Sequence, residues 1–531
     1  MKEVIKHVAC PYCGACCDDL EITVEDDKII EVKNACIIGT EIYHHASREG
    51  RVGSPRRRQP DGTYKDITYD EAIDFTAKML IKAKKPLIYG FGSTNCEGMA
   101  AAGRVAEDAG AVLDNCASIC HGSSFLAIFD TGYPSCTLGE VKNRADVVIY
   151  WGSNPAHAHP RHMSRYGIFP RGYFTGKGAR GRKVIVVDPR YTDTARCADH
   201  FLQVAQGHDY DLFDAFRMVM HGYAADLPDV VAGIPKEKIL EVCDVIKAGR
   251  YVHIFFGMGL CHSDGRNHNV DIAINLVRDI NEFTKCTIMA MRGHYNIAGP
   301  GIVWAWQFGF PYCIDLTKGS HAHMNPGETS SVDLANRGEI DAFINIGTDA
   351  GAHFPIRSFE KIGGAGIPMV TIDPSVNMAA TVSDVHIPVA IVGVETGGIC
   401  YRMDNVPIQY RAVIKPFNGI LTDEELFDKI YERMQELKMA GIDDVPGRKY
   451  YHGSGCDMCF HSGYRGRTGV FEFLPVNDKL RKCINDGANK QEIKQIIGES
   501  GFVTMQQNAE ALVSEGVTTV EEVCRTLGMV E

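Results

Sequence analysis

Residues 115–122 read NCASICHG, and this stretch of two cysteines and a histidine decides how the rest of the chain is interpreted. It follows a short apolar segment at 111–113 and precedes the apolar run 125–129, so we expect it on a loop between a strand and a helix. Ligands of open α/β sheets bind outside the carboxyl ends of the strands. A thiolate there can hold a metal, although buried cysteines are commonly inert packing residues.

The composition narrows the class of protein. A chain of 531 residues exceeds what one hydrophobic core usually supports, which predicts several domains or layers. The net charge of −12 disfavours a general binder of nucleic acid or anionic membranes. We find no export signal and no apolar stretch of about 18 residues that predicts a membrane span. Nineteen cysteines in such a chain indicate metal ligands and packing thiols in a cytoplasmic protein rather than a disulfide framework.

Four of the five cysteines in the first forty residues have the spacing of an iron–sulfur site. They are Cys10, Cys13, Cys17 and Cys36. Four thiolates are the usual ligands of a [4Fe–4S] cluster, and apolar runs at 20–24 and 29–32 predict a hairpin that returns Cys36 to the other three. A four-cysteine zinc site is the alternative, but zinc sites usually repeat a C-x2-C pair and this motif does not. The sequence leaves open whether Cys16 or Cys17 is the third ligand.

From about residue 85, short apolar runs end in Gly, Asn, Asp or Pro turns and alternate with helix-like segments. This pattern predicts an α/β fold with parallel strands and crossover helices. The predicted strands are 86–91, 146–151, 184–187, 252–256, 286–291, 342–346 and 369–372. The predicted helices are 97–108, closed by Gly110, and 269–282. The pattern repeats after about residue 250, which predicts two related halves.

Polar residues that follow these strands are candidate nucleotide ligands. Asp188 and Asp373 each precede a proline at a strand end, where a carboxylate can accept hydrogen bonds from a sugar or a base. Glycine and asparagine turns let backbone N–H groups approach phosphates. The further candidates are Asn154, His159, Arg190, Gly257, Asn296 and Asp349. No G-x4-G-K-[ST] loop occurs, so ATP hydrolysis is disfavoured.

Three histidines lie within six residues, at His157, His159 and His162. They could form a metal site. Because proline interrupts the segment and no carboxylate is near in sequence, we expect instead loop residues that face a polar cofactor.

Taken together, the N-terminal cysteines, Cys120-His121-Gly122, the Asn154-Pro155 turn and the two Asp-Pro turns resemble the molybdopterin oxidoreductases. Within them the chain is similar to the catalytic B subunit of formylmethanofuran dehydrogenase over about residues 5–435. The resemblance implies an iron–sulfur domain at 1–60 and a catalytic region at 61–437. That region would bind molybdopterin guanine dinucleotide through parallel-sheet domains.

The same resemblance implies roles for particular residues. Cys120 would ligate tungsten or molybdenum, with two molybdopterin guanine dinucleotides completing most of the metal's coordination. His121 and Arg292 would flank the open side, where CO2 and formate interconvert, and His121 would exchange a proton near neutral pH. Many formate dehydrogenases have a lysine shortly after the fourth cluster cysteine. Ile37 and Ile38 stand there in this chain, which favours the formylmethanofuran branch over a free-standing formate dehydrogenase.

The resemblance also implies partner subunits. CO2 reduction needs a low-potential donor, so we expect polyferredoxin-type iron–sulfur subunits rather than NAD. The barrel that covers the pterins in single-chain relatives is missing and would come from another subunit. An amidohydrolase-like subunit would condense formate with methanofuran. A non-catalytic iron–sulfur scaffold is a further alternative, but it would not need Cys120, His121 and Arg292.

The character of the chain changes at about residue 438. Residues 455–472 resemble the C-terminal segment of type II secretion and type IV pilus assembly ATPases, and the likeness continues through 502–508 and 516–523. The Walker motifs and the second C-x2-C pair of those ATPases are missing. Cys456 and Cys459 are candidate zinc ligands with His461 or His452, on weak evidence. We expect residues 438–531 to be an extension with a small α-rich interaction module.

Overall fold

The computed structural model describes residues 2–46, 50–319, 321–364, 366–440, 459, 463, 464, 466, 468–488, 490–498 and 501–527. The chain divides into two compact units. One comprises Met1–Ala72 and Ala83–Phe427, and the other comprises Ile73–Lys82 and Asp428–Glu531. None of the described helices combines the length and the apolar character needed to span a bilayer.

The first unit begins with a three-stranded antiparallel sheet of β1 (Lys2–Val8), β2 (Leu20–Glu25) and β3 (Lys28–Lys33). Strands β2 and β3 form the predicted hairpin. Helix α1 (Ile37–His45) follows directly, and Cys36 is its N-cap residue. The Sγ atom of Cys36 accepts a hydrogen bond from Gly39 N at 3.4 Å. The hairpin therefore brings Cys36 back to the end of the sheet at which the first cysteines lie.

A five-stranded parallel sheet lies in the middle of the chain. Its order is β10 (His200–Leu202), β9 (Lys183–Val187), β8 (Val147–Trp151), β13 (Tyr251–Phe256) and β14 (Lys285–Ala290). Every residue of β8 and β13 is buried, as expected for parallel strands covered on both faces. The Trp151 ring stacks on Phe213 with centroids 3.6 Å apart, and its Nε1 donates to Asp209 Oδ1 at 2.8 Å. Apolar burial thus fixes helix α7 (Asp209–Met220) against this sheet.

A nine-stranded sheet is built from segments that precede and follow the five-stranded sheet in the sequence. Its order is β16 (His323–Met324), β15 (Ile314–Asp315), β7 (Val112–Asn115), β6 (Pro86–Gly90), β17 (Ala342–Ile346), β18 (Met369–Ile372), β19 (Val385–Ile387), β4 (Arg56–Arg58) and β5 (Tyr64–Asp66). Strand β6 pairs in parallel with β17, more than 250 residues later. The predicted strands are all confirmed, but the sheets do not divide near residue 250. Patterning identifies a strand without identifying its neighbour, so the sequence did not predict that segments before and after the five-stranded sheet pair with each other.

The remaining elements complete the list. The other helices that lie entirely in the first unit are α3 (Cys96–Ala109), α4 (Ala117–Thr131), α5 (Leu138–Arg144), α6 (Pro155–Ala158), α8 (Lys236–Ala248), α9 (Met258–Cys261), α10 (Asn267–Ile280), α11 (Gly299–Phe308), α12 (Ser331–Arg337), α13 (Ala350–His353) and α14 (Ile356–Gly363). Two small hairpins pair β11 (Val230–Val231) with β12 (Ile234–Pro235) and β20 (Gly398–Tyr401) with β21 (Pro407–Tyr410). Helix α3 ends at Gly110 in the left-handed conformation, as predicted.

The secondary-structure elements described in the second unit are helices. Helices α2 (Tyr69–Lys82) and α15 (Asp423–Ala440) each have part of their length in it, and Arg433 of α15 pairs with Asp74 of α2 at 2.7 Å. Its C-terminal helices are α16 (Asp478–Asn485), α17 (Lys490–Gly498), α18 (Met505–Ser514) and α19 (Val520–Leu527). Ala509, Val513, Val520 and Val523 form a small core. The predicted α-rich segment is confirmed. The candidate zinc ligand Cys456 lies outside the described residues, as do His452 and His461.

Candidate active site

Cys120 and His121 lie in helix α4, not on the loop that the sequence predicted. Strand β7 ends at Asn115, and the Oδ1 atom of Asn115 accepts a hydrogen bond from Ala117 N at 2.9 Å. Asp114 Oδ2 accepts one from Ser118 Oγ at 3.0 Å. These two side chains let the helix start immediately after the strand. The backbone then departs from helical geometry at His121, with φ −135° and ψ 19°, so the helix bends at the site.

The Cys120 side chain is half-buried, and burial raises the pKa of its thiol. Its backbone oxygen lies 3.1 Å from His262 Nε2. The neighbouring Cys116 is completely buried, and a Cβ atom at Gly92 would stand 3.1 Å from its Sγ. Of the two cysteines in the deciding stretch, Cys120 is therefore the one whose thiol can reach a bound group.

The His121 imidazole is buried, and only one of its two ring nitrogens has hydrogen-bond partners among the described residues. Its Nδ1 lies 3.4 Å from Ser124 Oγ and 3.6 Å from Cys261 Sγ, whereas its Nε2 has no hydrogen-bond partner among the described residues. Burial, helped by the positive charge of Arg292, lowers the pKa of His121 to about 3, and a weaker contact with the backbone of Met291 acts in the opposite direction. In the protein alone the ring is neutral at pH 7. The expectation of a histidine that titrates near neutral pH does not hold for this state.

Arg292 follows strand β14 and is also buried. Its guanidinium lies 5.4 Å from the centroid of the Phe125 ring, and its Nε has no hydrogen-bond partner in the part of the chain that the structure describes. Its backbone oxygen lies 2.7 Å from His159 Nε2. Burial lowers the pKa of Arg292, and this guanidinium nevertheless stays charged at neutral pH. A buried cation with an N–H group free for a ligand is suited to bind an anionic oxygen.

The four predicted cluster ligands come together in the structure. Cys10, Cys13, Cys17 and Cys36 line one cavity, together with Cys16 and Arg161. Burial raises the pKa of the Cys10 thiol, and the nearby thiols of Cys17, Cys13 and Cys36 raise it further. Among the described residues, no three His, Cys, Asp or Glu side chains converge on a single metal ion. A [4Fe–4S] cluster does not require that, because each thiolate binds a different iron.

The two adjacent cysteines have different surroundings. Cys16 has a positive φ of 38° and packs with Tyr295 and Tyr410 in a hydrophobic cluster that contains none of the four predicted ligands. Its Sγ is 3.6 Å from the backbone oxygen of Cys13. Cys17 packs in the same cluster of side chains as Cys10 and Cys13. This arrangement favours Cys17 as the third ligand.

We therefore expect Cys17→Ser to lower the iron content and the EPR signal of the reduced cluster, because one thiolate ligand is lost. Cys16→Ser is the matched control and should keep both. Iron per chain and EPR of the dithionite-reduced protein measure the outcome. Loss of the cluster in the Cys16 variant alone would assign the ligand to Cys16.

The cysteine loop lies directly against the turn that carries Arg292. Gly14 N donates to Gly293 O at 2.9 Å, and a Cβ atom at Gly14 would stand 2.4 Å from the backbone oxygen of Arg292. Met403 N donates to Gly14 O at 2.9 Å on the other side. Only glycine allows this approach without a shift of the backbone. The contact places the cluster loop beside the residues predicted to be catalytic.

Gly14→Ala is expected to displace this loop, because the backbone atoms it meets cannot move independently. We expect the rate of electron transfer between the predicted cluster and the candidate site to fall at least about tenfold. The Tm should fall by roughly 4 °C or more. Gly176→Ala is the control, since a Cβ there meets no atom of the described residues within 4 Å. Calorimetry and viologen assays measure both effects. Equal behaviour of the two variants would contradict this account of Gly14.

The predicted nucleotide ligands follow the strand ends of both sheets. Asp188 Oδ1 accepts from Arg190 N at 2.8 Å after β9, and Asp373 Oδ1 accepts from Ser375 N at 2.9 Å after β18. The same turn is therefore present once in each sheet. Burial raises the pKa of both carboxyls, that of Asp373 to about 7. Arg190 itself is exposed.

Other predicted ligands already have partners within the protein. Asn154 Oδ1 accepts from Thr194 Oγ1 at 2.7 Å. Asp349 accepts three backbone N–H groups, each at 3.0 Å, from Gly351, Met378 and Ala379. Asn296 is buried with φ 51°, donates to Thr94 O at 2.6 Å and accepts from Tyr401 N at 2.7 Å. Asn296 and Asp349 thus hold turns together in this structure.

Gly257 has a different kind of role, at the end of β13. A Cβ atom there would stand 2.6 Å from Gly152 O, so the ends of β8 and β13 approach closely through glycine. Gly257 N donates to Trp151 O at 3.1 Å and Gly259 N to Gly152 O at 2.9 Å. Gly257 thereby sets the path of the backbone at the rim of the sheet.

The three clustered histidines occupy different environments. His157 is exposed, and its Nε2 lies 2.6 Å from Asp193 Oδ2, a carboxylate that is distant in sequence. His162 is buried among Tyr150 and Phe255, and neither of its ring nitrogens is hydrogen-bonded to a described residue. His159 is the one that contacts the Arg292 turn. The three histidines therefore do not share one environment, and their contact with a polar cofactor stays a prediction.

Several residues at the site were not predicted. Ser124 and Phe125 lie three and four positions after His121, a helical spacing that would have found them had the stretch been assigned to a helix. Tyr133 OH accepts from Ala290 N at 2.9 Å, close to Arg292. Cys261 and His262 approach from helix α9 and its end, about 140 positions away in sequence. No local signal identifies such distant partners.

A large polar group fits the residues that surround this site. Five buried polar atoms near the strand ends lack a hydrogen-bond partner within the described ranges: Thr94 Oγ1, His121 Nε2, Ser153 Oγ, His159 Nδ1 and Arg292 Nε. Buried polar atoms are rarely left unpaired in folded proteins. A cofactor with phosphates, ribose and amide groups would supply the missing partners. The accessible thiol of Cys120 fits a metal at its reactive end.

Comparisons with known proteins agree with this geometry. A family model described as Molybdopterin oxidoreductase matches residues 51–417. The chain is 46% identical to the B subunit of tungsten-containing formylmethanofuran dehydrogenase 2 from Methanocaldococcus jannaschii over 438 residues, which is 82% of this chain and 100% of that protein. Acetylene hydratase from Pelobacter acetylenicus has a similar fold, with a TM-score of 0.64, 15% identity and coverage of 81% of this chain and 69% of that one.

The C-terminal region matches a different group of proteins. A family model described as Type II/IV secretion system protein matches residues 393–525. The chain is 42% identical to type II secretion system protein E of Dickeya dadantii over 91 residues, which is 17% of this chain and 18% of that protein. The resemblance of this region is confirmed, and it covers a small part of the secretion protein.

Proposed function

This chain belongs to the molybdopterin oxidoreductases, and within them to the family of the formylmethanofuran dehydrogenase B subunits, and from this we propose that it interconverts CO2 and formate at a tungsten or molybdenum centre. One observation carries the proposal. Cys120, His121 and Arg292 come together at the strand ends, where the buried guanidinium and imidazole each have a nitrogen that is unpaired within the described residues. Formate is a small anion that such a site can bind.

We propose that two molybdopterin guanine dinucleotides and the metal bind here, with Cys120 as a protein ligand to the metal. Asp188 and Asp373 would each accept hydrogen bonds from one nucleotide, and the strand-end residues predicted above would contact the same nucleotides. When bound, the group supplies a centre that takes up two electrons. The [4Fe–4S] cluster at Cys10, Cys13, Cys17 and Cys36 would pass them on singly.

The residues of the chain itself would then bind and orient the substrate. Arg292 can hold two oxygens of formate with its planar guanidinium and stabilise charge that develops on them. Phe125 covers one face of the guanidinium and excludes water from it, which strengthens the interaction. His121 Nε2 is a second polar atom beside this position that is left for a ligand.

The proposal includes partner subunits. The relative from Methanocaldococcus jannaschii is, by its name, one subunit of an enzyme. We propose that iron–sulfur subunits deliver electrons, that a barrel-domain subunit covers the pterins, and that an amidohydrolase-like subunit condenses formate with methanofuran. A cytoplasmic location is part of the same proposal. An ordinary formate dehydrogenase is the second candidate, favoured by a 26% identical region of the F420-dependent formate dehydrogenase 2 subunit alpha of Methanococcus maripaludis.

A metal and pterin inventory of the anaerobically purified complex tests the proposal. We expect tungsten or molybdenum with pterin guanine dinucleotide and about four irons on this chain after the subunits are separated. Iron without pterin would contradict the catalytic assignment and indicate an electron-transfer scaffold. Zinc alone would contradict both metal assignments. Methanofuran-dependent activity of the complex distinguishes it from an ordinary formate dehydrogenase.

A further inference from the structure

Helix α4 is joined to helix α9 and its end by a group of polar contacts around His121. Ser123 Oγ donates to Cys261 O at 3.0 Å, and His262 Nε2 lies 3.1 Å from Cys120 O. Between these two contacts, Ser124 Oγ lies 3.1 Å from Cys261 Sγ. The segment that carries the predicted catalytic pair is thus held in place from a second element.

Ser124 and Cys261 both face the same nitrogen of His121. Ser124 Oγ is 3.4 Å and Cys261 Sγ 3.6 Å from Nδ1, and all three side chains are buried. Sulfur hydrogen bonds are longer than those of oxygen, so both distances allow an interaction. No atom of the described residues hydrogen-bonds to Nε2. The two ring nitrogens therefore differ in their surroundings: Nδ1 faces protein side chains, whereas Nε2 has no hydrogen-bond partner among the described residues.

A neutral imidazole carries its proton on one nitrogen, and its neighbours decide which one. The hydroxyl of Ser124 and the thiol of Cys261 can each donate a hydrogen bond. Burial raises the pKa of Cys261 to about 12, so the thiol keeps its proton. If both groups donate to Nδ1, the ring proton is on Nε2, the nitrogen that has no hydrogen bond to a described residue.

We propose that Ser124 and Cys261 are positioning residues that hold His121 in the tautomer with its proton on Nε2. The Nε2–H group then donates a hydrogen bond to an oxygen of the bound carboxylate, opposite the guanidinium of Arg292. This substrate role rests on the function proposed above, whereas the tautomer does not. The geometry also explains why a cysteine and a serine occupy buried positions beside a histidine.

The tautomer can be measured without turnover. We would record solid-state 15N NMR spectra of the purified complex labelled with [15N]histidine, and identify His121 by the signal lost in His121→Asn. We expect an unprotonated Nδ1 and a protonated Nε2 in the native chain, and a mixture of tautomers in the double variant Ser124→Ala, Cys261→Ala. A protonated Nδ1 in the native chain, or no change in the double variant, would overturn the proposal.

Kinetics provide the second measurement. We expect Cys261→Ala and Ser124→Ala each to lower kcat for formate oxidation about tenfold with little change in KM, the loss of one hydrogen bond in the transition state. Cys261→Ser should restore most of the activity, because a hydroxyl can also donate. Cys243→Ala is the control, since it removes an equally buried thiol from the same core. A loss in Cys243→Ala of the same size would mean that packing alone is responsible.

The two proposals can fail separately. If the inventory finds no tungsten or molybdenum, the proposed function fails while the NMR result still stands. If the metal and pterin are present but His121 carries its proton on Nδ1, the positioning role fails and the catalytic assignment stands.

Discussion

Cys120→Ala is expected to abolish formate-dependent viologen reduction, with activity at least roughly a thousandfold below the native level. Cys120 is the less buried of the two cysteines in residues 115–122, and it directly precedes His121, whose buried imidazole is affected by the charge of Arg292. In the proposed centre, the metal would then lose the ligand that the protein supplies. Removal of a group that acts directly in the reaction commonly costs several orders of magnitude.

The measurement must separate this loss from a failure to fold. The predicted N-terminal cluster should remain visible by EPR in Cys120→Ala, because Cys120 is not among the cysteines that line its cavity. Cys197→Ala, at a half-buried cysteine after strand β9, is the matched control and should keep full activity. Retained activity in Cys120→Ala would remove Cys120 from the mechanism.

The parts of the fold that depend on local pattern were predictable. The run VIVV at 184–187 and the other apolar segments form strands, and all four side chains of this run are buried. Cys36 was placed correctly because a short hairpin, whose turn is local, returns it to the other cysteines. The pairing of β6 with β17 was not predictable, since it joins segments that no local interaction connects.

The site shows the same distinction between local and distant contacts. Cys120, His121 and Arg292 were predicted as site residues through the family resemblance, but the helical position of the first two was not predicted. The carboxylate and amide that start helix α4 are Asp114 and Asn115, and their partners are known only from the structure. Asn296 has partners, Thr94 and Tyr401, that are more than 100 residues away in sequence and were not predicted, while its role as a cofactor ligand stays a prediction. Sequence finds the chemistry of a residue more readily than its partners.

Arg292→Lys is the second large effect that we expect. Lysine keeps a positive charge but lacks the planar pair of N–H donors that can hold both oxygens of a carboxylate. Its ammonium also has no planar face to lie against the Phe125 ring, 5.4 Å from the guanidinium in the native chain. We expect kcat/KM for formate to fall about 10²- to 10³-fold, the cost of removing one preorganised donor from a reacting oxyanion.

The pH dependence of kcat/KM in this variant reports whether the introduced lysine is charged. Burial already lowers the pKa of the native guanidinium, and it lowers the pKa of a lysine more, so the amine loses its proton more readily. A lysine whose folded pKa is depressed is charged only below that pKa, and the residual activity should therefore rise as the pH falls toward neutral. Arg278→Lys, at an exposed arginine of helix α10, is the control and should leave the pH profile unchanged. If Arg292→Lys kept native kcat/KM at every pH, a simple positive charge would suffice, and bidentate binding of formate by Arg292 would be ruled out.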